Sequence, residues 1–549
     1  MRYLPLALIL LSVQAWGADT YVCANGTGDG SSAAQCKAPG TAFADVTIGA
    51  GDTVYICGST PIRDTLTVTS TNNVSIDLDC EGNSGVISGA DVITSFAAAD
   101  ANGEYATTAN FSVPTWVLVD GVAWKEGVKG SLADNEWAFS SSKVWLGSDP
   151  SGHTVEVATR GVSIVIASST GATITGGRVY GVRHTGTATG NAAVLCRESD
   201  CTLTYTSFYA VRKPSDVLGD GSMIVRNTTT SYCVDGPDAI QSTYVSMPTL
   251  LAEDNVIEDC MYGGWFDNTV TSHSVTFDGE GIACTDCASI TARRNVIRRT
   301  YKGIATRVEM AAPQVFERNW IEDTMDDGID YGCTNSSGAL VTHTSGNIIL
   351  NAGKGGGWTT SAYAVAWVNA VCGNGADSVI ANNTIRDSAQ GFYVTAAASQ
   401  TGTIKVLNNT LSNVDPEQAT GTHYFTNWAS VNVSHSLTIT ENNNNWYQTY
   451  GTGFFRWVAN PNARSYANYA LYLTDSSQNA QSIRVDPAFL GRSSPTTIRG
   501  FIPTNPALKA SGSVVGDYYD FYGTAFQTPP SIGAFELRGP RMPIDRNPR

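Results

Sequence analysis

Charge is scarce in this chain. Asp, Glu, Lys and Arg make up 15% of its 549 residues, against roughly 25% in ordinary soluble domains. A surface so neutral suits short strands, tight turns and sugar contacts better than long solvated helices. Positive charge is scarcer still. The 33 Lys+Arg against 49 Asp+Glu leave a net −16, which argues against a broad basic face for coating nucleic acid. Long apolar runs are missing too, and no segment approaches the about 20 residues needed to span a bilayer. Hydrophobic residues nonetheless reach 42%, enough for a sizeable core and too many for wholesale disorder.

What is present begins with an address. Arg2, the short apolar run Leu4 to Val13 and the small-x-small site Ala15-Trp16-Gly17 read as a signal peptide over residues 1–17. The expected destination is the periplasm or the extracellular space. The 12 cysteines are even in number and several lie close together: Cys23/Cys36, Cys57/Cys80, Cys196/Cys201 and Cys284/Cys287. In an oxidising compartment such a set reads first as disulfides. Zinc at Cys284-x-x-Cys287 lacks a second CxxC or flanking His ligands.

The middle of the chain repeats. An Asn-x-apolar signature recurs at Asn255, Asn295, Asn319, Asn347, Asn383, Asn409 and Asn444, with a weaker first copy at Asn227. The intervals of 28, 40, 24, 28, 36, 26 and 35 residues predict stacked coils with loops of variable length. Between them falls a second beat, Gly before a large apolar residue, as in Gly281-Ile282, Gly303-Ile304 and Gly328-Ile329. Each coil therefore reads strand, Asn turn, strand, Gly turn, strand. Coils stacked about 4.8 Å apart would pair equivalent strands and let the Asn side chains form a ladder.

With this pattern, Gly51-Asp52-Thr53-Val54-Tyr55 near the start and Ser531-Ile532-Gly533-Ala534-Phe535-Glu536 near the end, the chain resembles the right-handed parallel β-helix (pectate-lyase-like) family of secreted bacterial proteins. The resemblance implies an all-β fold, a single-stranded right-handed parallel β-helix with an N-terminal cap and an irregular C-terminal cap. It does not imply one chemistry, because this scaffold hosts lyases, hydrolases, epimerases and binders. The expected segments are 18–160, a cap with a Trp-rich insertion covering the open end, then 161–450, the repeats, and 451–549, a cap and tail.

Where charge does concentrate, it falls on adjacent coils. Residues 291–310 hold Arg293, Arg294, Arg298, Arg299, Lys302 and Arg307 against Glu309. Residues 311–331 hold Glu317, Glu322, Asp323, Asp326, Asp327 and Asp330 against Arg318. Aligning the two coils on their Gly-Ile pairs puts Lys302 beside Asp327 and Ala305 beside Asp330, with Arg307 on the same outward face. Glu280 in the preceding coil stacks on Lys302. Such pairs can be plain intercoil ion pairs. Crowded together, with Trp265, Tyr301, Tyr331 and Trp358 nearby as sugar-stacking aromatics, they read as a catalytic site.

Two chemistries fit, and both take a polysaccharide as partner. In the preferred one, β-elimination from a uronate-containing glycan, Lys302 or Arg307 is the base and positive charge stabilises the intermediate. The resemblance implies such a base, and Asp326, Asp327 and Asp330 could hold Ca²⁺. In hydrolysis, Asp327, Asp330 and Glu280 supply the paired carboxylates, but the Asn-Thr-Asp, His-Gly and Arg-Ile-Lys motifs of familiar β-helix hydrolases are missing. A non-catalytic glycan binder or adhesin is the third reading. His273 and His343 read as hydrogen-bonded surface groups, and Asp235 and Asp238, around Gly236-Pro237, as turn-shaping residues.

Overall fold

The computed structural model describes residues 17–537, apart from 41–42, 113, 184–190, 241–246, 261–278, 286, 309–313, 334–341, 354–361, 369–375, 396–400, 414–423, 430–435, 449–453, 458–463, 467–468, 479, 491–497 and 516–517. The proposed leader therefore lies outside the described residues, except Gly17.

Among the described residues three long sheets carry the chain, of 13, 13 and 11 strands. Each coil contributes one strand to each sheet in turn. In one coil these are Lys302–Val308 in sheet I, Gln314–Glu317 in sheet II and Trp320–Glu322 in sheet III. Each strand pairs in parallel with its equivalent one coil away, as Ile304 with Ile329 and Val296 with Trp320. Alternation then sends Ile282, Ile304, Ile329, Ile297, Ile321 and Phe316 into one continuous core, and their neighbours outward.

The Asn repeat is the corner between sheets II and III. Asn319 shows the pattern: its Nδ2 donates to Ala292 O at 2.9 Å and to Asn347 Oδ1 at 3.0 Å. Its Oδ1 accepts from the backbone N and Nδ2 of Asn295, each at 3.0 Å. The same contacts run from Asn255 to Asn444, and Ser482 Oγ caps the last at 2.8 Å. The residue before each ladder Asn turns the corner with a left-handed backbone, as at Asp254, Arg294 and Asn408. This corrects the first copy: Asn227 takes the left-handed position, and Thr228 fills the ladder slot by donating to Asn255 Oδ1 at 2.9 Å. The Gly beat is steric. A Cβ on Gly303 would strike Gly328 O and the Ile321 side chain, so a larger residue would force the coils apart.

The insertion is a small two-sheet sandwich, each sheet of four strands. Trp137, Val144, Leu146, Val155 and Val157 form its core. It does not cover the open end as expected. It docks on the flank of sheet III, where Trp116 and Leu118 pack with Tyr180, Ala210 and Val234, and Tyr180 Oη donates to Glu156 at 2.8 Å. At the far end the helix Tyr469–Ser476 sets Tyr472 on Phe455, with ring centroids 4.6 Å apart. The chain then runs back along the flank, burying Phe501, Ala534 and Phe535 against Trp320 and Ile348.

Among the described residues there are five disulfides. They include the four close pairs, Cys284–Cys287 among them, and add Cys233–Cys260 between adjacent coils of sheet III.

Candidate active site

Sheet I carries the candidate site because its outward face concentrates buried charge. One outward column runs Asp216, Asp238, Ala283, Ala305, Asp330 and Ala366. Beside it, Asp235, Glu280, Lys302 and Asp327 each stand directly before a column glycine. The expected register is therefore found: Ala305 opposes Asp330, Glu280 opposes Lys302, and Gly303 N donates to Asp327 O.

Lys302 lies among the acids of the next coil. Its Nζ is 2.6 Å from Asp330 Oδ2 and 3.9 Å from Asp326 Oδ2. Burial alone would lower the lysine pKa, but the charges of Asp330, Asp327 and Asp326 outweigh it and hold the ammonium above its ordinary value. Asp327 goes the other way for a carboxyl. Burial, then the charges of Asp326 and Asp330, push it well above the usual range, although Tyr363 N donates to its Oδ1 at 2.6 Å. Asp326 is raised by burial, while Lys302 and a hydrogen bond from Tyr301 oppose the rise. Asp330 Oδ1 is buried and accepts no hydrogen bond among the described residues.

The structure thus brings together Glu280, Tyr301, Lys302, Asp326, Asp327 and Asp330. It removes Tyr331 from the aromatic set: the residue after outward Asp330 must point inward, and Tyr331 is fully buried in the core, stacked on Phe316 at 5.2 Å. Trp265, Trp358 and His273 lie outside the described residues, as does the Arg307 side chain, whose backbone opposes Gly332. His343 meets Tyr518 Oη at 3.2 Å under the returning C-terminal segment, a hydrogen-bonded role as expected.

Most of the basic coil belongs elsewhere. Arg293 bridges to Glu253 at 2.9 Å, and Arg294 to Asp254 at 2.6 Å. Arg298 reaches Glu258 at 3.3 Å and Glu322 at 3.2 Å, and Arg299 meets Asp259 at 2.7 Å. These are intercoil ladders on sheets II and III, so the crowding of charge in sequence overstated the site. Arg294→Ala should change stability by about 0–1 kcal/mol, checked by thermal unfolding.

Sequence reasoning missed a second buried group. Lys213 forms an ion pair with Asp238 and lies 3.9 Å from Asp216. Asp238 is therefore more than a turn former, and Asp235 Oδ1 reaches the next coil, accepting from Gly279 N at 3.0 Å. The signal available was their column: Asp238 sits three coil steps from Asp330 on the same face.

No protein-family model matches the chain, and no curated protein sequence matches it. Solved structures do. XylC in complex with xylose aligns over 95% of this chain and 98% of its own, at 11% identity and a TM-score of 0.54. The chain is a right-handed parallel β-helix protein. Pectate lyase Pel9A aligns at 12% identity with a TM-score of 0.44, covering 95% of this chain and 97% of its own. PfbA, a surface adhesin of Streptococcus pneumoniae, does so at 11% and 0.35, covering 75% and 82%. At these identities the likeness concerns the β-helix fold and leaves the chemistry to the residues. No helix among the described residues is long and apolar enough to cross a membrane.

Proposed function

We propose that this β-helix protein is an exported enzyme that cleaves a polysaccharide by hydrolysis, with Asp327 as the proton donor. The observation that carries the reading is a division of labour between two carboxyls. Burial and neighbouring acids favour the protonated form of Asp327, while Asp330 is held on Lys302 through Oδ2 with Oδ1 left without a hydrogen bond among the described residues. Paired environments that separate two carboxyls in this way suit acid and base roles. Asp327 gives its proton to the bridging oxygen as the glycosidic bond breaks. A water oxygen bonds to the anomeric carbon, and its proton passes to Asp330 Oδ1. Tyr301 offers an aromatic face beside the acids. The five disulfides suit an oxidising compartment.

β-Elimination is the second reading, and the buried cation Lys302 is what favours it, as a partner for a uronate carboxylate. For Lys302 to serve as the base it would have to leave Asp330, which raises its pKa. Incubation with acidic and neutral polysaccharides decides. New reducing ends without ultraviolet absorbance mean hydrolysis, an absorbing unsaturated product means elimination, and retention without either means a binder.

The three acids do not fit calcium as they stand. Among the described residues no group of three or more His, Cys, Asp or Glu is arranged to hold a metal, and the Lys302 ammonium lies between Asp330 and Asp326. We therefore assign the local positive charge to Lys302. A chelator should leave turnover unchanged, and added Ca²⁺ should leave the wild-type melting temperature unchanged. In Lys302→Ala the vacated acids should gain a Ca²⁺-dependent rise in melting temperature.

A further inference from the structure

One buried nucleophile stands apart from Asp327 and Asp330. Lys213 lies just before the sheet I strand Ser215–Leu218, and its side chain is 2% exposed. An ammonium carries three N–H donors. Among the described residues Lys213 Nζ has a single hydrogen-bond acceptor, Asp238 Oδ2 on the next coil. The other oxygen of that carboxyl, Asp238 Oδ1, is buried and accepts no hydrogen bond among the described residues. A third group closes the cluster. Asp216 opposes Asp238 across the sheet, its Oδ2 lies 3.9 Å from Lys213 Nζ, and its side chain is sealed from solvent.

A full charge on each partner is costly in such a place. Burial opposes the lysine's proton, but the charges of Asp238, Asp216 and Asp235 outweigh it and raise the pKa, so the cluster keeps that proton. It need not stay on nitrogen. Moved along the existing hydrogen bond to Asp238 Oδ2, it leaves an amine facing a carboxylic acid, and neither carries a charge. Two such groups held in contact react as if at a concentration far above any reached in solution.

We propose that Lys213 and Asp238 condense into an intramolecular amide, a covalent cross-link between adjacent coils, with Asp216 as the proton relay. The Nζ lone pair attacks Asp238 Cγ, a C–N bond forms, and the carboxyl C–OH bond breaks. Asp216 takes a proton from the nitrogen and returns it to the leaving hydroxyl, which departs as water. No oxidant or cofactor takes part. The product removes both charges and one of the two carboxyl oxygens from the buried cluster. It joins the same two coils that Cys233–Cys260 joins on sheet III. The Lys302–Asp330 pair is more open, each side chain being 11% exposed, and it remains an ion pair.

Mass spectrometry of the full chain tests the cross-link. After reduction of the disulfides, lysine-specific cleavage gives one fragment from Val144 to Lys302, because Pro214 protects Lys213 from cutting. That fragment should weigh one water less than its sequence, and its fragmentation should find Lys213 joined to Asp238. Lys213→Arg should restore the full mass, which separates the cross-link from dehydration at Asp-Gly sites such as Asp235-Gly236. Asp216→Asn, folded by circular dichroism, should slow formation by about 10²-fold, the worth of a positioned proton-transfer group. A wild-type fragment of full mass, or a deficit that survives Lys213→Arg, overturns the cross-link. Undiminished formation in folded Asp216→Asn overturns the relay.

Discussion

Asp327→Asn should lower turnover by about 10²- to 10⁴-fold, the usual contribution of a positioned general acid. The asparagine keeps the shape and can still accept the Tyr363 N–H, but it has no proton to give. The pH profile makes the test specific. Burial and the charges of Asp326 and Asp330 raise the Asp327 pKa, so the working, protonated form is lost as pH rises through that raised value. Wild-type activity should decline along this limb, and the residual activity of the variant should lack it. The substitution should move stability in the opposite sense to activity. Between the ordinary Asp value and the raised one, the folded state holds a proton that the unfolded chain has released, so wild type loses stability as pH rises there. Asn cannot ionise, so the variant should melt at or above the wild-type temperature at neutral pH. A folded variant that is equally active, or that keeps the wild-type alkaline limb, would remove the acid role from Asp327.

The fold was legible because its signals are local and repeated. Each ladder Asn, each column glycine and each inward Ile answers to a constraint met again one coil later. The register of Ala305 with Asp330 and of Glu280 with Lys302 followed from aligning Gly303 on Gly328. The site was legible only in part, because linear proximity does not say which of three sheets a residue faces. Arg293 and Lys302 are nine positions apart in sequence, yet one serves an ion-pair ladder on sheet II and the other the acids of sheet I. Tyr331 was misplaced by ignoring alternation after Asp330. Lys213 and Asp238 were missed because their partnership spans two coils, and Gly236-Pro237 suggested a turn. The docking side of the insertion depended on Tyr180, Ala210 and Val234, three residues from three different coils with no shared motif.

Asn319→Ala should destabilise the protein by about 3–5 kcal/mol, far more than any of the surface arginine ladders. The substitution deletes four hydrogen bonds: two donated to Ala292 O and Asn347 Oδ1, and two accepted from Asn295. It leaves Ala292 O and both Asn295 donors short of partners in a fully buried corner, where water cannot replace them. Arg294→Ala removes only a part-exposed ion pair whose groups return to solvent. Position along the ladder should matter as well. Asn444 meets Ser482 rather than a further Asn, and stacked coils draw stability mainly from their nearest neighbours. Asn444→Ala should therefore loosen the C-terminal coils while leaving the centre protected, whereas Asn319→Ala should break the stack beside Lys302 and Asp330. Hydrogen exchange separates the two outcomes: early exchange centred on residues 292–350 for the first-named variant, and confined beyond about residue 400 for the other. Equal and uniform loss in both would mean that the ladder acts as one cooperative unit.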